Sequence, residues 1–173
     1  MSTTNWSVTN PRKPIVRHED GTYGPGQYEY ILFNEYIQGG DALKPLTEVQ
    51  VKNAQELLRR VNSMLALFVG EHPEVLQYRA NGLAVVVSSG YRPRDWVEAQ
   101  GENTRSPHYQ CAAIDIADAG NVLDNWITKK QKGNPNFLSD HGLWLEHPAH
   151  TIGWCHLDTN VWQNPQRPHV FIP

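Results

Sequence analysis

Asp115 constrains this chain more than any other residue. It stands between Ile114 and Ile116, in a run over 112–116 that reads as a buried strand. An ionised carboxylate inside an apolar strand is costly unless cations, N–H donors or a metal answer it. The fold must therefore bring such a partner to the strand. Two kinds of partner remain open from the residues alone. One is an arginine or a set of backbone N–H groups, and the other is a metal ion.

Two further residues make the metal reading concrete. His108 lies upstream in Ser106-Pro107-His108-Tyr109-Gln110, and His156 lies downstream in Trp154-Cys155-His156-Leu157-Asp158. Two imidazoles and one carboxylate form a ligand set for zinc that leaves its fourth tetrahedral position open. Water at such a position can ionise near neutral pH and attack a carbonyl. The chain reads as a metallohydrolase provided that these residues converge. His156, on a strand flanked by Trp154 and Leu157, suits a ligand held on a sheet, whereas His108 alone reads as a loop residue. His147 and His150 flank the site and suit substrate binding. His18, His72, His141 and His169 read as solvated.

Around these residues the pattern is mixed. Pro and Gly punctuate residues 1–30, an irregular N-terminal arm, and 31–173 read as one domain. Residues 28–37 suit a short strand or a helical turn. Thr47 and Gln50 form a capping box, and Val51, Ala54, Leu58, Val61, Leu65 and Phe68 recur at helical steps. That predicts an amphipathic core helix ending near Gly70. Residues 83–87 read as a strand, and 121–130 as a helix with Asn121 at its cap. Residues 143–146 and 154–158 read as two strands, and the Pro-containing tail from Gln163 as an extended surface segment. Strands and helices without regular βαβ alternation predict an α+β fold: a small antiparallel sheet carrying the zinc site, packed with helices.

Composition removes several function classes. A length of 173 residues supports a self-sufficient core, and 39% hydrophobic against 19% charged residues excludes wholesale disorder. A net charge of -3 argues against nucleic acid as a partner. No 18-residue apolar run exists, so no membrane span is expected. Residues 1–6 lack a basic stretch leading into an apolar one, so no Sec-type signal peptide is expected. Cytoplasmic synthesis without export by that route is expected, so a target outside the cytoplasm would need another means of delivery. The two cysteines, Cys111 and Cys155, suit small buried apolar residues, a disulfide or zinc ligands. Strand alternation sets Cys155 on the opposite face from His156.

The order of the motifs carries a resemblance. Ser88-Ser89-Gly90-Tyr91-Arg92-Pro93, then Ser106-x-His108-x6-Asp115, then Trp154-x-His156 resembles the zinc D-Ala-D-Ala peptidase superfamily. That group includes D-alanyl-D-alanine carboxypeptidases and dipeptidases, phage L-Ala-D-Glu endolysins and the Hedgehog-type domain. The resemblance spans 88–158, under half of the chain. It implies one zinc ion per chain on His108, Asp115 and His156. It also implies that Arg92 steadies the substrate or the oxyanion, that Ser106 contacts substrate, and that the substrate is a peptidoglycan stem peptide or another D-amino-acid peptide.

The chain departs from the pattern twice. Cys111 stands where the motif has Gly, and Gly153 stands where many members carry a catalytic Glu or Asp three residues before the last His. Pairing of the strands over 143–146 and 154–158 would bring Glu146 beside His156, which makes Glu146 the candidate general base. Asp140, His150 and Asp158 are the fallbacks. The leading expectation is a zinc-dependent peptidase acting on peptidoglycan, of the carboxypeptidase or the endolysin type. A zinc-binding, non-catalytic module, such as part of a phage particle, is the alternative. An intracellular D-Ala-D-Ala dipeptidase is a third reading.

Overall fold

The computed structural model describes residues 30–37, 46–72, 86–101, 104–160, 162–164 and 166–173, with the backbone of 15–17 and 23–25. In chain order the elements are β1 (Ile15–Arg17), β2 (Tyr23–Pro25), α1 (Phe33–Ile37), α2 (Glu48–Glu71) and β3 (Val87–Ser89). They continue with α3 (Arg94–Ala99), β4 (Ala113–Ala117), α4 (Val122–Gly133), α5 (Phe137–His141), β5 (Trp144–Glu146), β6 (Trp154–Asp158) and β7 (Val170–Phe171). The fold is α+β. A five-stranded sheet runs β3-β4-β6-β5-β7, with every neighbouring pair antiparallel except β5 and β7. Among the described residues no helix is long and apolar enough to cross a membrane.

Helix α2 follows from its sequence. The Gln50 N–H donates to Thr47 Oγ1 at 3.2 Å and the Thr47 N–H returns to Gln50 Oε1 at 3.0 Å, which satisfies two donors at the helix start. Its buried stripe includes Ala54, Leu57, Leu58, Val61, Met64, Leu65 and Phe68 and joins the core formed with Ile114, Ile116, Leu145 and Leu157 of the sheet. Asn62 interrupts that stripe for a reason. Its Oδ1 accepts from the N–H groups of Tyr30 and Ile31 at 2.8 and 2.9 Å, which ties the approach to α1 onto the helix.

The structure refines these expectations. Inside the segment read as an irregular arm, β1 and β2 pair antiparallel. Apart from Tyr30, the rest of that arm, with His18, lies outside the described residues, as do residues 83–85 of the run read as a strand. Asn121 stands at the cap position of α4, but its side chain makes no capping hydrogen bond. It takes a left-handed φ of 54°, and Asp118 caps instead, accepting from the N–H groups of Leu123 and Asp124 at 3.0 and 2.9 Å. The tail is not merely extended surface. Val170 and Phe171 add β7 to the sheet edge, with the Leu145 N–H donating to the His169 carbonyl and the His147 N–H to that of Phe171, both at 2.7 Å. The short helices α3 and α5, of six and five residues, offer too few turns for a periodic signal.

Candidate metal centre

The site is built where β4 and β6 lie side by side. Their register sets Asp115 opposite His156, on the sheet face away from Ile114, Ile116 and Leu157. His108 reaches the same point from a tight turn. In that turn the Gln110 N–H donates to Ser106 O at 3.1 Å, the Cys111 N–H to His108 O at 3.1 Å and the Ala112 N–H to Pro107 O at 2.8 Å. Helix α2 clamps this loop from outside, with Gln50 Nε2 on Tyr109 O at 2.8 Å and Asn53 Nδ2 on Gln110 O at 2.9 Å. Cys111 closes the turn at φ 56°. It keeps the left-handed backbone that suits glycine, at a cost of roughly 1–2 kcal/mol.

Three ligand-type side chains converge, and all are buried: His108 is 3%, Asp115 6% and His156 9% exposed. One candidate ligand atom from each lies within 4.8 Å of the others, so the cluster can hold a metal ion. Asp115 Oδ1 stands 2.6 Å from His156 Nδ1 and 3.4 Å from His108 Nε2. Ligand atoms about 2.1 Å from a tetrahedral zinc are about 3.4 Å apart. One pair already has that spacing, and the hydrogen-bonded pair must open by roughly 0.8 Å to admit an ion.

Each ring also has an oxygen facing its other nitrogen. His108 Nδ1 lies 2.8 Å from the Gly90 carbonyl and donates to it, which leaves Nε2 as the lone-pair atom facing Asp115. Gly90 is required there, because a Cβ at this position would stand 1.7 Å from the Tyr36 carbonyl oxygen. His156 Nε2 faces Asp158 Oδ2 at 3.7 Å. Metal-ligating histidines characteristically present their second nitrogen to a carbonyl or a carboxylate in this way.

Asp115 has a second partner in Arg92, whose Nη2 donates to Oδ2 at 2.8 Å. Arg92 Nε donates to Ser89 Oγ at 2.9 Å, and its guanidinium lies 4.7 Å from the centre of the Trp96 ring. The buried carboxylate is thus answered both by an arginine and by two imidazoles. Burial alone would raise Asp115, but the hydrogen bonds and charge of His108 and His156 outweigh it and hold the carboxyl well below the usual range. Burial lowers His108 and favours its neutral form. Burial also opposes charge on His156, yet Asp115 and Asp158 together raise it.

The remaining candidates separate clearly. Extending the β5–β6 register by one step sets Glu146 opposite His156 on the metal face. Glu146 is partly exposed, and no hydrogen bond or ion pair joins it to another described residue. Ser106 is partly exposed at the start of the His108 turn. Gly153 lies exposed at φ 91°, in the turn that leads into β6, with nothing within 4 Å of an added Cβ. Asp140 is exposed on α5, and exposed His147 and His150 form a ring pair 6.2 Å apart. Asp158 is fully buried and holds Arg167 through both of its oxygens. Both cysteines are free and buried, and burial pushes the Cys111 thiol up to about 12. His169 is stacked 4.2 Å from Trp144 rather than solvated. Sequence reasoning missed the anchors around the ligands. The spacing of His156 and Asp158 on one strand could have revealed the second of them. No sequence signal marks Arg167.

Comparison of the chain with protein-family models, with curated proteins and with solved structures gives no match in any of the three.

On the opposite face of the sheet from the ligands, Asp124 is fully buried at the start of α4. Thr151 Oγ1 donates to its Oδ2 at 3.4 Å, while Oδ1 has no hydrogen-bond partner among the described residues. Burial pushes its carboxyl from 3.8 up to about 6, and the charge of Asp118 adds to this. The folded chain therefore holds a proton that the unfolded chain has released, and stability falls as pH rises from about 4 to about 6. Asp124→Asn removes that penalty. Denaturant titrations should show the variant gaining on the order of 1–2 kcal/mol over wild type at pH 7.5 and little at pH 4. Equal gains at both pH values would contradict the assignment.

Proposed function

We propose that the chain is a zinc-dependent peptidase that hydrolyses peptide bonds of peptidoglycan. The observation that carries this reading is the buried His108–Asp115–His156 cluster, with a backbone or carboxylate oxygen facing the outer nitrogen of each ring. Two imidazoles and a carboxylate suit zinc among the divalent ions. The substrate class rests on the resemblance of the three ordered motifs.

A zinc ion bound there would supply Lewis acidity and bring the ionisation of water close to neutral pH. The protein's own groups do the rest. Glu146, opposite His156, takes the proton of the attacking water and returns it to the leaving amine. Arg92 keeps Asp115 in place through Oδ2 and presents positive charge to a substrate carboxylate or to the developing oxyanion. Ser106 contacts substrate beside His108. A non-catalytic zinc-binding module is the second reading, favoured by the open glycine turn at Gly153.

Incubation of the zinc-loaded protein with purified sacculi and stem peptides, read by mass spectrometry, separates these readings. Cleaved peptides that disappear with chelator are the expected result. Cleavage of free D-Ala-D-Ala alone would indicate a dipeptidase. Intact substrates with zinc bound would leave only the module.

A further inference from the structure

We infer that Asp158 and Arg167 form a positioning pair that aims the His156 ring and so sets how tightly the centre holds its metal. The inference rests on the metal reading of that cluster. Residues 156 and 158 share one face of β6, and Asp158 is fully buried. A buried carboxylate needs strong partners. Asp158 Oδ1 accepts from Arg167 Nη1 at 2.8 Å and from the Asn160 N–H at 2.7 Å. Oδ2 accepts from Arg167 Nη2 at 2.7 Å and faces His156 Nε2 at 3.7 Å. The two-pronged arginine fixes the plane of the carboxylate, and with it the oxygen that the imidazole meets.

The tail braces the same ring a second time. The Arg167 guanidinium lies 3.5 Å from the centre of the Phe171 ring, and Phe171 meets the His156 ring at 6.2 Å with an interplanar angle of 80°. With the Asp158 carboxylate facing Nε2 and Phe171 against one side of the ring, Nδ1 points at Asp115 Oδ1. The segment 166–173 thereby gains a role at the metal centre, although it supplies none of the three ligands. Loss of such an outer carboxylate typically weakens metal binding by about 10–100-fold.

The test is zinc affinity of the full chain, measured by competition with a chelator of known strength, with the absorption spectrum of the cobalt(II)-loaded protein beside it. Asp158→Asn should weaken zinc about 10–100-fold and alter the cobalt bands. Arg167→Gln should shift both in the same direction by a smaller factor, and Arg167→Lys should recover part of the loss. Wild-type affinity and an unchanged cobalt spectrum in folded Asp158→Asn and Arg167→Gln would overturn the inference and leave the metal reading intact. Should Asp158→Asn fail to fold, the two Arg167 variants decide. A wild-type chain that binds neither ion would overturn the metal reading itself.

Discussion

Glu146→Gln should lower hydrolysis of stem peptides by about 10²–10⁴-fold while leaving the metal content unchanged. The substitution keeps the size of the side chain and removes only its capacity to take a proton. Glu146 is not a member of the His108–Asp115–His156 cluster, so the ion should stay. No hydrogen bond or ion pair ties it to another described residue, so little stability should be lost. Its placement opposite His156 is what suits it to the role. Initial rates on a purified stem peptide, with zinc per chain measured on the same samples, check both halves. An unaltered rate would move the base to His150 or Asp140. A lost metal would make Glu146 a ligand.

Asp115→Ala should cost far more than a surface carboxylate would. It removes one of three ligands, so zinc binding should be abolished. It also leaves Arg92 without the oxygen that it holds at 2.8 Å and His156 without the one at 2.6 Å. Removing one partner of a buried ion pair typically costs about 3–5 kcal/mol. Most of that loss should persist when wild type and variant are compared by denaturant titration in chelator, because the arginine pair needs no metal. Equal stability of the two metal-free proteins would mean that the other contacts of Arg92 compensate fully for the lost carboxylate.

Much of this site is readable in the sequence, for identifiable reasons. Asp115 betrays itself because a carboxylate between two isoleucines has few acceptable environments. The strands that carry Asp115 and His156 follow from β-branched and aromatic runs, and α2 from its capping box and apolar stripe. The antiparallel return from β5 to β6 then suffices to place Glu146 opposite His156. Other features depend on contacts between distant segments. Arg167 lies in a proline-punctuated tail, and only the pairing of β7 with β5 brings it to Asp158. The capping side chain of α4 is hard to read because Asn121, the nearer polar residue, sits at the cap position in a left-handed turn, and Asp118 reaches past it. Gly90 reads as an ordinary turn glycine. Its importance comes from the Tyr36 carbonyl that packs against it and from the His108 ring that its own carbonyl holds.

The central claim is that His108, Asp115 and His156 hold one zinc ion. Plasma mass spectrometry of protein purified without added metal, for wild type and His156→Ala, tests it most directly. The account predicts close to one zinc per wild-type chain and almost none in the variant. A folded wild-type chain that carries no zinc, and takes up none when zinc is supplied, would contradict it.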